Sequence, residues 1–142
     1  MSKTLLCIDG SNPSLRAAKR AIDIAKRYKA EVLAFYVSIV PTSIRRAAKY
    51  VWDEMHNHDV EQVSKWLKDI IEETKNDHIE LRIEVEETES SIATEIIKKA
   101  DEYNADLIIL GSTGKSKFER LLLGSVAQGV MTYAKCAVLV IR

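Results

Sequence analysis

The stretch LIILGSTGKSKFERLLLGSVAQG, Leu107 to Gly129, passes from apolar residues into small and basic ones, and its letters Gly114-Lys115-Ser116 suggest a phosphate loop. A loop of that kind needs a glycine five residues before Gly114, so that consecutive backbone N–H groups wrap the phosphates. That position is Ile109, and the pattern fails. Gly111, Gly114 and Gly124 still need a cause. Glycine permits close backbone approach, and the unsatisfied N–H groups of a helix start attract anions. Gly111-Ser112-Thr113-Gly114 follows an apolar run, and Gly124-Ser125 opens a helical pattern ten residues later. A second loop, Cys7-Ile8-Asp9-Gly10-Ser11, sends an acidic side chain out just before another helix start. A polyphosphate bridging the two loops suits these residue types, although each glycine alone suits a plain turn. Lys115, Lys117 and Arg120 are available to neutralise phosphates, Lys115 foremost, or to sit solvated on a surface.

The elements that position these loops are legible in the periodicity. Short apolar runs alternate with stretches of helical period, the pattern of βαβ units around a parallel sheet. Five strands are expected, at Thr4–Ile8, Val32–Val37, Ile79–Val85, Asp106–Leu110 and Ala137–Ile141. The first two and the fourth are almost wholly apolar, as central strands covered on both faces are. Ile79–Val85 alternates apolar and charged residues and is expected at an edge. Leu15, Ala18, Ile22 and Ala25 line one face of a helix, with Asn12 the expected cap and Pro13 at its first position. Thr42–Asn76 is expected to be helical with a break at His56–Asp59, where the apolar period is interrupted, and with Thr42–Asp59 the most mobile part of the chain. Ser90 or Ser91 caps a helix buried through Ile92, Ile96, Ile97 and Ala100, and a last helix runs from about Ser125 to Ala134.

With 142 residues, 46% of them hydrophobic and 30% charged, the chain is expected to form one domain over 1–142. Twenty-one basic residues balance 21 acidic ones, so the field that drives non-specific nucleic-acid binding is missing. No apolar run approaches a membrane span and no secretory leader is readable, so the protein is expected in the cytoplasm, with neither nucleic acid nor membrane as partner. Cys7 and Cys136 are expected to be reduced packing residues. Arg45, Arg46 and Lys49 read as a solvated helical face, and Trp52 and Trp66 as packing or partner contacts. His56 and His58 stand about 200° apart around a helix, poorly placed to share a metal. No Ser-His-Asp or Cys-His grouping suggests catalysis, and His78 stands alone, so no catalytic residue is assigned.

The spacing Gly111-x2-Gly114-x9-Gly124-Ser125, with LLLGSV and the terminal VLVIR, resembles the nucleotide motif of the universal stress protein family. The order of strands and helices and an Asp after strand one extend the resemblance over nearly the whole chain. It implies a five-stranded parallel open sheet of strand order 3-2-1-4-5 with helices on both faces, a Rossmann-like α/β fold of the adenine nucleotide alpha-hydrolase-like type. It also implies ATP binding, with Mg²⁺ accompanying the nucleotide, and homodimerisation through the last strand. By position, Ile8 and Asp9 stand at the nucleoside, Asp9 bonding the ribose, and Val37 offers backbone groups to the adenine edge. Leu110 lines the base pocket, Gly111 and Gly114 admit ribose and phosphates, and Gly124, Ser125 and Val126 contact phosphates. Two departures stand out: Glu87-Thr88-Glu89-Ser90-Ser91 replaces a loop that often holds Gly and Pro, adding negative charge, and Cys136-Ala137-Val138 replaces Cys-Pro-Val. The expectation is a cytoplasmic nucleotide-responsive dimer with an unknown downstream protein. The alternatives are a dimeric interaction protein without nucleotide and a slow ATPase or autophosphorylating protein.

Overall fold

The computed structural model describes residues 3–113 and 123–142. Five parallel strands, β1 (Lys3–Cys7), β2 (Glu31–Ile39), β3 (Leu81–Thr88), β4 (Leu107–Gly111) and β5 (Ala137–Ile141), form one sheet in the order β3-β2-β1-β4-β5. The helices are α1 (Asn12–Tyr28), α2 (Lys49–Trp66), α3 (Lys68–Asn76), α4 (Ile92–Tyr103) and α5 (Ser125–Tyr133). Side chains along a strand alternate between faces. Leu6, Ile22, Val32, Val63 and Leu67 accordingly meet in a core against α1, α2 and α3. Leu5, Phe35, Ile96, Ile108 and Val130 meet in a second core against α4 and α5. Both faces of β1 and β4 are therefore covered at their centres, which is why Leu5–Cys7 and Leu107–Leu110 are continuously apolar.

The helix starts follow from side-chain chemistry. Ser11, not the expected Asn12, caps α1: its Oγ accepts the Ser14 N–H at 3.3 Å, and Asn12 lies one residue inside, exposed. Ser91 caps α4 by accepting the Thr94 N–H at 3.1 Å, while the Ser90 N–H donates to Thr88 Oγ1. α1 and α4 end on left-handed residues, Lys29 (φ 54) and Asn104 (φ 56). Cys7 is buried and Cys136 half-buried, both free thiols, and burial pushes both above the usual thiol range.

The expected break at His56–Asp59 does not occur. Thr42–Ile44 forms one 3-10 turn, α2 runs unbroken through His56–Asp59, and the helix is interrupted instead at Leu67 (φ −100, ψ 11). The polar residues that interrupt the apolar period find polar partners on the sheet. Asp59, 8% exposed, accepts the Ser38 hydroxyl at 2.9 Å, and His56 Nδ1 lies 2.9 Å from Glu87 Oε1. The helical face here meets the hydrophilic ends of β2 and β3, so it carries no apolar stripe.

Candidate functional site

The site arises because the strands differ in length. β1 ends at Cys7, and its last rung is the Ile8 N–H donated to the Phe35 carbonyl at 3.0 Å. β2 continues to Ile39, with Val37, Ser38 and Ile39 paired to Glu86, Glu87 and Thr88 of β3 on its other side. Peptide groups point the same way every second residue along a strand. The Phe35 carbonyl faces β1, so the N–H and C=O of Val37 face that side too, beyond the point where β1 stops. A donor and an acceptor are left side by side, without a backbone partner among the described residues.

The loop after β1 is tightly tied. Asp9 Oδ1 accepts the Ser11 N–H at 2.9 Å, the Asp9 N–H donates to Ser14 Oγ at 3.3 Å, and the Ser14 hydroxyl donates to the Ser11 carbonyl at 2.9 Å. Among the described residues, the carboxylate's second oxygen takes no hydrogen bond. Gly10 completes the turn at φ +80, a conformation that favours glycine.

Across the sheet, the Ser112 N–H donates to the Ile141 carbonyl, and the Ser112 carbonyl accepts the Gly124 N–H, each at 2.7 Å. That second bond joins the loop after β4 directly to the start of α5. Gly124 holds the cap position of α5 with φ −63 and ψ 156, supplies no side-chain cap, and is followed by no acidic residue in the first turn. The N–H groups at this helix start thus have no side-chain capping partner among the described residues. Gly111 has a structural cause of its own: a Cβ there would lie 2.8 Å from Pro13 Cβ and from the Ser14 nitrogen, so β4 passes the start of α1 only as glycine.

These ends enclose a cavity of about 740 Å³, within the ordinary range for small-molecule sites. Ile8, Asp9, Val37, Leu110, Gly111, Gly124, Ser125 and Val126 all line it. Gly114 and Lys115, with Lys117 and Arg120, lie outside the described residues. Cys7, Ser112 and Thr113, from the two loops expected to meet the ligand, line it as well, whereas sequence reasoning missed Ser14, Tyr36 and Ser38; only their place at a strand end or in a cap could have marked them. Ile92 and Ile96, expected simply as the buried face of a helix, also form a wall. The cavity is therefore apolar around Phe35, Val37, Leu110, Ile92 and Ile96, and polar around Asp9, Ser112, Thr113 and Ser125.

The acidic stretch Glu87–Ser91, which begins in the last two residues of β3, does not line this cavity, and both of its carboxylates have local partners. Glu87 pairs with His56, and Glu89 Oε1 accepts from Arg45 Nε at 3.2 Å. Burial, followed by the charges of Asp59, Asp9 and Glu87, pushes the Tyr36 phenol above its usual range.

The sequence pattern of the universal stress protein family matches residues 1–142. The chain belongs to this family. Among curated universal stress proteins it is 40% identical to one from Methanocaldococcus jannaschii, over 99% of this chain and 81% of the relative. It is 32% identical to YxiE of Bacillus subtilis, over 99% of both. In fold it resembles the universal stress protein UspA from Lactobacillus plantarum, with TM-score 0.80, 24% identity, and 99% and 97% of the two chains covered. Two further universal stress proteins of this fold are solved in complexes, one with cAMP (TM-score 0.65, 24% identity, 99% and 96% covered) and one from Archaeoglobus fulgidus with dAMP (TM-score 0.65, 20% identity, 100% and 98% covered).

Proposed function

We propose that this universal stress protein binds ATP in the cavity at the carboxyl ends of β1 and β4, and acts in the cytoplasm as a homodimer that passes nucleotide occupancy to a protein partner. The observation that carries the reading is the free N–H and C=O pair of Val37 at the apolar end of the cavity. Such a pair matches an adenine edge, which offers a ring nitrogen as acceptor and an exocyclic amine as donor. The other end supplies what a ribose triphosphate needs. Asp9 has an oxygen to accept a ribose hydroxyl, and the uncapped start of α5 at Gly124-Ser125-Val126 donates to phosphate. The site also lies where the strand order reverses, between β1 and β4, the usual ligand position in open α/β sheets. The relatives' complexes with cAMP and dAMP agree with an adenine nucleotide as the ligand class.

Mg²⁺ would be carried in largely by the phosphates, with Asp9 the one carboxylate among the described lining residues. The same inventory argues for binding over turnover, because the carboxylate already holds the Ser11 N–H and no second carboxylate or imidazole lines the described cavity.

Calorimetric titration with Mg-ATP tests this reading. Gly124 has an extended conformation that valine adopts without strain, so Gly124→Val should keep the fold and lose binding by placing a branched side chain where phosphate must lie. Asp9→Ala should cost about 1.5–3 kcal/mol of binding, as expected for a hydrogen bond to a charged group. Affinity equal to wild type in Gly124→Val would overturn the site.

A further inference from the structure

The two walls of the cavity share one support on the far side of the sheet. Trp66, the last residue of α2, is half-buried. Gly10 lies directly on its indole: a Cβ on Gly10 would stand 2.8 Å from Trp66 Nε1 and still closer to Cε2 and Cζ2. The Asp9-Gly10-Ser11 turn is thus laid against the ring, with no room for a side chain between them. The same indole meets Tyr36 edge-on, ring centroids 5.3 Å apart at 82°. Tyr36 precedes Val37 on β2 and itself lines the cavity. One side chain therefore touches both the turn that carries Asp9 and the strand end that carries the free Val37 peptide groups. Behind it the chain turns sharply at Leu67, which is fully buried and anchors the end of α2.

We propose that Trp66 is a positioning residue for the nucleotide site, setting the distance between Asp9 and the Val37 peptide groups and linking the state of that site to α2. The proposal rests on the nucleotide reading above for its ligand, but not for its geometry. An indole is flat, rigid and large, so it supports the turn and the strand end together. A ligand that pulls on Asp9 presses the turn against, or lifts it from, a ring fixed to the end of α2.

The test uses the full chain as wild type, Trp66→Ala and Trp66→Phe, with two independent readouts. Without nucleotide, hydrogen exchange at the Asp9 and Ser11 amides should quicken at least about tenfold in Trp66→Ala, while Ile108–Leu110 in β4 keep wild-type protection. Trp66→Phe, which keeps an aromatic face, should recover most of the difference. Titration with Mg-ATP should then show affinity reduced about tenfold in Trp66→Ala and less in Trp66→Phe. If Trp66→Ala does not fold, Trp52→Phe leaves Trp66 as the only tryptophan, and its emission should change on ATP binding. Wild-type exchange at Asp9 and Ser11 in Trp66→Ala overturns the positioning role, as does unchanged ATP affinity or unchanged Trp66 emission on a titration that calorimetry shows to saturate. A wild type that binds no ATP fails the nucleotide reading instead, and the exchange arm still decides the role of Trp66.

Discussion

Tyr36 shows at the scale of one residue how the site's surroundings set chemistry. Its phenol is half-buried beside Asp59, Asp9 and Glu87, and both the burial and the negative charges favour the neutral form. Tyr103 is shifted the same way, by burial first and then by its hydroxyl bond to Glu31 at 3.0 Å. A free phenol ionises near pH 10. In both cases the folded-state value lies above the unfolded one, so this contribution to stability is intact below about pH 10 and declines as pH rises further. The difference in 295 nm absorbance between wild type and Tyr36→Phe should therefore titrate with a midpoint above 10, and a midpoint at or below 10 would contradict the placement of Tyr36. Individual residues were legible in the sequence where their role is local. Asp9 and Gly124 are marked by a strand end and a helix start that any periodicity scan finds. Gly111 lines the cavity, and its contact with Pro13 and Ser14 adds a packing reason that the sequence does not show, because that contact is tertiary and leaves no local mark. The support of Gly10 by Trp66 is hidden for the same cause.

At the scale of elements, α2 is the least securely held part of the described fold. The chain before it makes only one 3-10 turn, and α2 starts at Ala48 without a side-chain cap. Its first three turns reach the sheet through polar pairs, His56 with Glu87 and Asp59 with Ser38, and its first fully buried apolar residue is Val63. Water competes for polar pairs and not for a dry core, so this half should open at low free energy. Without nucleotide, amides in Thr42–His58 should exchange on the order of a hundredfold faster than those of Ile108–Leu110. Comparable protection in the two segments would contradict this account. The strands were read to within three residues at each end, and the largest error, at the end of β3, has a tertiary cause. Glu86, Glu87 and Thr88 look like loop, yet they extend β3 because they pair with Val37, Ser38 and Ile39. The uninterrupted α2 was unreadable for the converse reason, since its polar face is satisfied by residues distant in sequence.

At the scale of the whole molecule, the two sheet edges are treated differently. β3 alternates charged and apolar residues, as a strand with a watered face does. β5, with four half-buried apolar residues, is paired on one side by β4 and, among the described residues, by no strand on the other. Two copies joined antiparallel through β5 would satisfy both edges with one self-complementary contact. Light scattering at micromolar concentration should give about twice the 16.0 kDa chain mass, and Val140→Lys should give monomer or insoluble protein. A monomeric wild type would rule out this interface. In the cavity the open end of β2, the Asp9 turn and the start of α5 converge on the space we propose for an adenine nucleotide. Backbone amide chemical shifts, followed during a titration of the ¹⁵N-labelled chain with Mg-ATP, test that proposal most directly. Saturable shifts should concentrate at Ile8, Asp9, Val37, Gly111 and Gly124–Val126, with weaker effects from GTP, whose base offers a donor where adenine offers an acceptor. Shifts that do not saturate at millimolar ATP, or that saturate at residues away from this cavity, would contradict it.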